Sequence, residues 1–209
     1  MESVPLWCGN KVERTEHIVN AEVKTPPVFG GNEADKLSLE LLTRETLQSA
    51  IVLANSVFPQ CRDLPESPEI EYRATIDPTT YREAMTALGL DSQEHWVLKK
   101  RQSVVGLTGL QHKTLDEPEV AWLGWFCLDP TQRGQKLGKR FLEWTISTAR
   151  LKGYTVLRLH TTDLPSQSKA QVLYEKLGFR VIDPRDLDPR VLYNGAATHY
   201  GQIYREKPL

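Results

Sequence analysis

Residues 129–140 read DPTQRGQKLGKR and join a strand-like run, AWLGWFCL, to a helix-like run, LGKRFLEWTISTARLKG. This turn holds two glycines and four cations: Gly134, Gly138, Arg133, Lys136, Lys139 and Arg140. The start of a helix presents backbone N–H groups without helical partners and the positive end of the helix dipole. Because glycines let an anion approach that backbone closely, the pattern predicts a site for a phosphorylated ligand.

The spacing excludes two common phosphate-binding loops. Three residues separate Gly134 from Gly138, and Lys139 is followed by Arg140, so the Walker A pattern and its Mg²⁺-binding hydroxyl are missing. The G-x-G-x-x-G pattern of dinucleotide-binding folds is missing as well. Taken alone, the turn still leaves open a glycine-softened connection followed by a solvated basic helix face.

The composition is that of an ordinary soluble domain. Of 209 residues, 40% are hydrophobic and 25% are charged, and the formal net charge of −1 gives no reason to expect nucleic acid or an anionic membrane as a partner. The apolar runs are too short to span a bilayer, and the first residues show no apolar signal-peptide core. Three scattered cysteines lack metal-binding spacing, so we expect reduced thiols, no metal ion and a cytoplasmic location.

Hydrophobic periodicity predicts one mixed α/β domain over residues 37–209, preceded by an extension over 1–36. Thr43 is expected to cap the first helix, residues 60–77 to form a loop, and Pro78 to lie in the first turn of a helix that ends near Gly89. The strands are predicted at 36–42, 95–102, 103–113, 119–128, 155–161, 179–182 and 199–207, with later helices ending near Lys152 and Gly178. The apolar strand 119–128 is expected to be central and covered on both faces.

Two motifs together resemble the GNAT superfamily of N-acetyltransferases. RGQKLG, residues 133–138, resembles its acyl-CoA motif Q/R-x-x-G-x-G/A, and the strand before it looks like the fourth strand of that family. SQSKAQVLYEKLGFRV is similar to the second motif of the family, with the run from Ala170 to Phe179 intact. Lys136 departs from the pattern because it replaces the first motif glycine, and Gln167 stands where an asparagine is frequent.

The resemblance implies a GNAT-like acyl-CoA N-acyltransferase fold, in which helices flank a central mixed, mostly antiparallel sheet. In that family the fourth and fifth strands splay apart at a bulge, and the pantetheine arm of the co-substrate acetyl-CoA inserts between them. By this analogy, the backbone of Phe126, Cys127 and Leu128 would pair with pantetheine. The other implied cofactor-binding residues are Arg133, Gly134, Gln135, Lys136, Leu137, Gly138, Lys139 and Gln167.

The resemblance also implies catalytic roles. Tyr174 matches the tyrosine that protonates the departing CoA thiolate in many members of the family. His160 and Glu119 are the candidates for the base that deprotonates the amine, and a water chain is the third option. A packed aromatic ring, a hydrogen-bonded histidine at a sheet edge and a solvated glutamate are the corresponding structural interpretations.

The function that follows from the resemblance is transfer of an acetyl group from acetyl-CoA to a primary amine, directly and in a ternary complex. A non-catalytic acyl-CoA-binding or regulatory module with the same fold is the alternative. The acceptor, the acyl-chain preference and the role of residues 1–36 stay open, and a homodimer is one option for the assembly. The acidic stretch 60–77 would attract a cationic amine, and a solvated loop is the other interpretation.

Two side-chain predictions concern the strand 119–128. The odd spacing of Trp122 and Trp125 predicts rings on opposite faces of the sheet. Cys127 has no neighbouring His or Lys in the sequence, so it is interpreted as inert packing rather than as a nucleophile.

Overall fold

The computed structural model describes residues 36–64, 67–192 and 201–209. The predicted extension before Lys36, the acidic residue Glu66 and positions 193–198 of the last loop lie outside these described residues. The described strands are β1 Leu37–Leu41, β2 Leu90–Lys100, β3 Ser103–Lys113, β4 Val120–Leu128, β5 Val156–Thr162, β6 Arg180–Ile182 and β7 Gln202–Pro208. The described helices are α1 Arg44–Val57, α2 Pro68–Ile76, α3 Arg82–Ala87, α4 Leu137–Leu151 and α5 Ser168–Lys176.

The strands form one sheet in the order β1-β2-β3-β4-β5-β7-β6. Every described pair of neighbours is antiparallel except β4 and β5, which run parallel. β4 occupies the middle of the sheet and is buried along most of its length, as its apolar sequence predicts. The predicted mixed, mostly antiparallel sheet flanked by helices is confirmed.

Each face of the sheet carries its own apolar layer. On one face, α4 and α5 cover a cluster that includes Leu98, Ala121, Phe141, Leu142, Leu157 and Tyr174. On the other face, α1 and α2 cover a cluster that includes Ala50, Ala54, Tyr72, Val97 and Cys127. α1 begins after Thr43 as predicted, and the backbone N–H of Thr43 donates to the hydroxyl of Thr46 at 3.0 Å. Burial of both helix layers accounts for why the sheet is apolar on both sides.

The prediction of a loop over residues 60–77 is wrong, because α2 occupies Pro68–Ile76. Ser67 caps this helix by accepting a hydrogen bond from the N–H of Ile70, and Pro68 occupies its first turn, where a missing N–H costs nothing. Tyr72 is fully buried against the sheet, which fixes one face of the helix. The many acidic side chains of residues 60–77 made the segment look like a loop, and the short helix was therefore not predicted.

Two boundaries also differ from prediction. The helix expected to start at Pro78 starts at Arg82, after a turn in which Asp77 accepts hydrogen bonds from the N–H and the hydroxyl of Thr80. β2 begins at Leu90, five residues before the predicted start at His95. Gly89 has a φ of +64°, a conformation that glycine adopts easily, and it separates α3 from β2.

A bulge in β4 makes the prediction for the two tryptophans wrong. Trp125 has a φ of +37°, and β4 has one more residue than β3 at this point. The extra residue reverses the alternation of side chains, so Trp125 packs on Phe58 whereas Phe126 packs on Phe141 of α4. Both Trp122 and Trp125 therefore lie on the face of the sheet away from α4.

His95 makes the stability of the fold sensitive to acid. Its side chain is 2% exposed, and its Nδ1 lies 2.8 Å from the hydroxyl of Thr75. Desolvation lowers the pKa of His95 to about 3. An unfolded histidine titrates near 6.5, so between pH 6.5 and about 3 the unfolded chain binds a proton that the folded chain does not.

We therefore expect the free energy of unfolding to fall as the pH falls through this window. One histidine accounts for about 1.4 kcal/mol per pH unit, or about 2–3 kcal/mol between pH 6.5 and 4.5. Urea unfolding at pH 7 and pH 4.5 measures the loss, and H95Q should retain less of it than the parent chain. H112Q, which changes a histidine near the protein surface, is the control. An equal loss in H95Q and the parent chain would contradict the assignment.

Candidate active site

β4 and β5 separate from each other halfway along the sheet. They pair only at Val120, Ala121 and Trp122 with Val156, Leu157 and Arg158. Beyond this point β4 continues beside β3 as far as Leu128, and β5 continues beside β7 as far as Thr162. The backbone of residues 123–128 that faces β5 therefore has no strand beside it in the described chain. The splay predicted from the family resemblance is present, next to the bulge at Trp125.

A cavity of about 460 Å³ opens at this splay. The β4 wall includes Trp122, Gly124, Trp125 and Phe126, and the β5 wall runs from Leu159 to Thr162. The cavity brings together four of the predicted site residues: Phe126, His160, Gln167 and Tyr174. It reaches α2 and the α3–β2 connection on its far side, so it is longer than the gap between the strands.

Tyr174 lies on α5 and borders the cavity. Its side chain is 6% exposed, and its ring packs against Phe179 at 5.9 Å between centroids. Desolvation, and to a smaller extent the nearby Cys127 thiol, raise the pKa of Tyr174 above its ordinary value, while Arg205 acts in the opposite direction. The phenol is consequently protonated throughout the neutral range and is able to donate a hydrogen bond into the cavity.

His160 lies on β5 and also borders the cavity. Many protein atoms surround the ring, yet the residue is exposed because the cavity itself admits solvent. Desolvation in the cleft, with a smaller contribution from the charge of Lys113, lowers the pKa of His160 to about 4. His160 is therefore neutral at pH 7, but it is a weaker base than its unperturbed pKa near 6.5 indicated.

The second predicted base is at the wrong end of β4. Glu119 is exposed, and its backbone carbonyl accepts from the N–H groups of Thr155 and Val156, where β4 and β5 are still paired. The splay begins only after Trp122, and Glu119 does not border the cavity. Glu119 thus lies outside the described cavity wall, and its role as a base stays a prediction.

The basic turn lies at the carboxyl end of β4. Gly134 has a φ of +89° with open space around it, and α4 begins after Lys136 without a side-chain cap. The first N–H groups of α4, starting at Leu137, thus point outward with no capping side chain. A Cβ on Gly138 would lie 3.4 Å from the side chain of Leu128, which places the helix start directly over the end of β4.

Lys136, which stands where the family motif has a glycine, has a backbone conformation that glycine adopts more easily than lysine does. Its φ of 58° and ψ of 9° lie in the left-handed region, which costs a non-glycine residue about 1–2 kcal/mol. Its side chain is exposed at the turn. The turn therefore presents an exposed cation directly before the first N–H groups of α4.

The other predicted turn residues divide into two groups. Arg133 donates from Nε and Nη2 to the carbonyl of Leu128, at 3.3 and 3.1 Å, and so covers the end of β4. Lys139 is exposed and lies 3.6 Å from Glu143, and Gln135 is exposed as well. Leu137 is 6% exposed and packs in the core, so only its backbone is available to a ligand.

Gln167 ties α5 to β5. Its Oε1 accepts from the hydroxyl of Thr161 at 2.5 Å and from the N–H of Thr162 at 3.4 Å. Gln171 adds a bond from its Nε2 to the carbonyl of Thr162 at 3.0 Å. These bonds hold the start of α5, and with it Tyr174, against the β5 side of the splay.

The side chains of Cys127 and Leu128 are buried on opposite faces of the sheet. Burial raises the pKa of the Cys127 thiol to about 12, so it holds no thiolate at neutral pH. This agrees with the interpretation of Cys127 as inert packing. Both residues present only backbone groups to the gap between β4 and β5.

From the sequence alone, Glu71 is placed only among the acids of a predicted loop, and Lys113 is not identified. α2 places the Glu71 carboxylate at the cavity wall, where Gln111 donates to it. Lys113 at the end of β3 lies at the same wall, 4.2 Å over the ring of Trp122. The alternation of Gln111 and Lys113 along β3 was the available signal, since residues two apart on a strand share a face.

The family model for the acetyltransferase (GNAT) domain matches residues 91–181, which run from β2 to β6. Residues 91–181 carry the pattern of a GNAT acetyltransferase domain. The family places the protein among the acyltransferases. No curated protein sequence matches the chain.

Solved structures are similar to the GNAT fold described here. An acetyltransferase of the GNAT family from Staphylococcus aureus Mu50 has a TM-score of 0.62 at 17% identity, over 82% of this chain and 98% of that one. The PaiA N-acetyltransferase from Thermoplasma acidophilum, in complex with coenzyme A, has a TM-score of 0.53 at 18% identity, over 83% and 99%. The Escherichia coli ribosomal-protein-S18-alanine N-acetyltransferase has a TM-score of 0.53 at 17% identity, over 82% and 93%. At these identities the likeness establishes the fold.

Neither a metal-binding cluster nor a membrane-spanning helix occurs in the described ranges, residues 36–64, 67–192 and 201–209. No group of three or more His, Cys, Asp or Glu side chains in those ranges is arranged to hold a metal ion. None of the helices described for this GNAT domain has both the length and the apolarity needed to cross a bilayer.

Proposed function

We propose that residues 37–209 catalyse transfer of an acetyl group from acetyl-CoA to a primary amine, directly and in a ternary complex. The observation that carries this proposal is the gap between β4 and β5, which opens into a cavity bordered by Tyr174. The cavity extends from this gap as far as α2 and the α3–β2 connection. An extended pantetheine arm would fill the gap between β4 and β5, and an acceptor would occupy the rest of the cavity.

In this proposal the cofactor is held mainly by backbone. Phe126, Cys127 and Leu128 offer peptide groups along the open side of β4, and the uncapped start of α4 offers N–H groups to the pyrophosphate. Lys136 and Lys139 add positive charge at the same helix start. The turn and the gap meet at Leu128, so one extended ligand would reach both.

The proposed reaction is attack of the amine nitrogen on the thioester carbonyl carbon. Holding the two reactants together is worth about 7–11 kcal/mol, and oxyanion stabilisation by backbone N–H groups adds to it. A general acid or base contributes about 10²–10⁴-fold. Cofactor placement therefore carries more of the rate than Tyr174 or His160 does.

Isothermal titration with acetyl-CoA, and with ATP as the control, tests the binding half of the proposal. We expect micromolar binding of acetyl-CoA and none of ATP. A free-thiol assay with a panel of amines then tests turnover. Absence of acetyl-CoA binding would refute the proposed cofactor site, and tight binding without turnover of any amine would favour the non-catalytic acyl-CoA-binding module.

A glycine substitution at the start of α4 separates ligand binding from stability. In G138A, the added Cβ meets Leu128 at 3.4 Å, an ordinary contact, and alanine favours a helix by about 1 kcal/mol over glycine. We expect a melting temperature equal to or above that of the parent chain. We also expect about tenfold weaker binding of acetyl-CoA, since the methyl group obstructs the approach of phosphate to the backbone; that factor corresponds to about 1.4 kcal/mol.

The control for G138A is S147A, a change to alanine on the exposed side of the same helix. S147A should leave acetyl-CoA binding unchanged. Titration calorimetry and thermal unfolding of both variants decide the matter. Unchanged binding by a folded G138A would remove the start of α4 from the proposed pyrophosphate site.

A further inference from the structure

Two side chains of opposite charge border the cavity on its far side from Tyr174. Glu71 of α2 is 7% exposed, and its Oε2 accepts from Nε2 of Gln111. Lys113 follows Gln111 by two residues on β3, so the two side chains emerge from the same face of the strand, about 7 Å apart. A carboxylate that is hydrogen-bonded to Gln111 and the ammonium of Lys113 thus line the same cavity.

In the part of the chain that the structure describes, no carboxylate is in direct contact with the ammonium of Lys113. Within the described ranges, no Asp or Glu lies within 4.0 Å of its Nζ, which instead donates to the carbonyl of Val191 and lies over Trp122. Asp116 is nearby, but its oxygens are bound to the indole N–H of Trp122 and to Arg158. Asp116 and Glu71 therefore act on this partly buried cation without contacting it, and a bound anionic ligand would add a direct partner.

The Lys113 side chain keeps its charge in this setting. Desolvation lowers the pKa of Lys113 to about 8, and the charges of Asp116 and Glu71 limit the shift. Most of the population is therefore protonated at pH 7. The other cation at the cavity, Arg190, is already paired with Asp188 at the mouth, which leaves Lys113 as the cation that faces inward among the described residues.

The remaining walls are apolar and aromatic. Phe58 and Trp125 stack in a tilted arrangement with 5.3 Å between centroids, and Leu88, Leu90 and Leu115 complete the far side. Such walls suit a hydrocarbon or aromatic group, whereas the polar groups fix its orientation.

We propose that the acceptor is an amino acid with an apolar side chain, whose amine lies by Glu71 and whose carboxylate is bound by Lys113. This inference rests on the proposed function, because it names the acceptor class for the same site. Glu71 binds the ammonium and receives the proton that the nitrogen must lose before attack. The apolar side chain of the acceptor packs against Trp122 and Trp125.

The reaction balances without any further reactant. The nitrogen forms a bond to the acetyl carbon, the carbon–sulfur bond breaks, and sulfur leaves with the bonding electrons. The thiolate gains one proton and the ammonium loses two, so one proton is released overall. The products are an N-acetylated amino acid and free coenzyme A.

The experiment compares apolar L-amino acids with the amines that remain when their carboxylate is removed, for example L-phenylalanine with 2-phenylethylamine. L-phenylalaninamide serves as the uncharged analogue. A charged hydrogen bond to the carboxylate should raise kcat/KM for the best amino acid about 10–100-fold over its amine. The full-length protein and acetyl-CoA are used, with free thiol as the readout.

The variant K113M keeps the hydrocarbon stem on Trp122 and removes the charge. We expect it to reduce the preference for amino acid over amine to less than about threefold, a change larger than one screened surface charge produces. K152M is the matched control, since Lys152 lies 5.9 Å over another ring, that of Trp96, outside the cavity. The preference should survive in K152M.

The outcomes separate this inference from the proposed function. Preference of the parent chain for amines or amides over amino acids overturns the inference and leaves acyl transfer intact. So does an unchanged preference in a folded K113M. Binding of acetyl-CoA without acetylation of any amino acid also overturns it, whereas failure to bind acetyl-CoA overturns the proposed function itself.

Discussion

Replacement of Tyr174 by phenylalanine is expected to lower kcat about 100-fold while leaving the affinity for acetyl-CoA within about twofold. The phenol is the donor that borders the cavity beside the splay, and it would protonate the departing thiolate. Burial raises the pKa of Tyr174, which makes it a weaker acid than free tyrosine. The expected loss therefore lies at the low end of the range for a general acid.

The packing of the ring should be retained in Y174F, because phenylalanine keeps the contact with Phe179. Y154F is the control, since Tyr154 is a half-buried tyrosine outside the cavity. Single-turnover rates together with titration calorimetry separate chemistry from binding. Complete loss of turnover with normal binding would contradict the ranking of cofactor placement above acid catalysis, and a loss below about threefold would remove Tyr174 from proton transfer.

The second large effect is expected at Gly109, which lies opposite His95 on β2 and Gly124 on β4. A Cβ on Gly109 would lie 2.7 Å from Nε2 of His95 and closer still to its Cδ2. The imidazole is held in place, because it is hydrogen-bonded to Thr75 and packs edge-on to Tyr72 with 4.9 Å between ring centroids. Overpacking of a locked core site costs about 3 kcal/mol, so G109A should be strongly destabilised.

For a chain of this length, that cost corresponds to a fall in melting temperature of about 6–12 °C. G138A provides the same chemical change at a position with room for it, and it should not lower the melting temperature. Thermal and urea unfolding compare the two. A G109A variant as stable as the parent chain would mean that His95 is less firmly held than its contacts indicate.

The result at Gly109 also bears on the acceptor side of the cavity. A Cβ on Gly124 would lie 3.1 Å from the amide of Gln111, the same amide that donates to Glu71. The two facing glycines thus provide the space in which His95 and Gln111 lie over the sheet. The position of the Glu71 carboxylate depends on that space. No local pattern in residues 60–77 indicates this dependence.

Most elements were predictable because their signals are local. The run from Leu137 to Leu151 has helical periodicity and ends before Gly153, whose φ is +88°. The apolar strand β4 and the turn after it were recognisable from a few neighbouring residues. α2 was not, since its cap at Ser67 and its one buried tyrosine are weak signals among many acidic side chains.

The cavity was only partly predictable, because it depends on contacts between distant segments. The family resemblance indicated Tyr174 and His160, and both border the cavity. The depressed pKa of His160 and the raised pKa of Tyr174 arise from desolvation by surrounding chain, which single residues do not encode. The position of Glu119 outside the cavity likewise depends on where β4 and β5 separate.

Local residue patterns were enough to predict most strands and helices, the basic glycine-containing turn and the two motifs that indicate a GNAT domain, because each depends on residues within about one helix or strand of each other. The position of both tryptophans on one face depends on the bulge at Trp125, which only the folded chain reveals. The folded chain also places Glu71 and Lys113, which lie on separate elements, at the same cavity. A single extra residue in one strand reverses every later side chain, and its effect is visible only against the neighbouring strand.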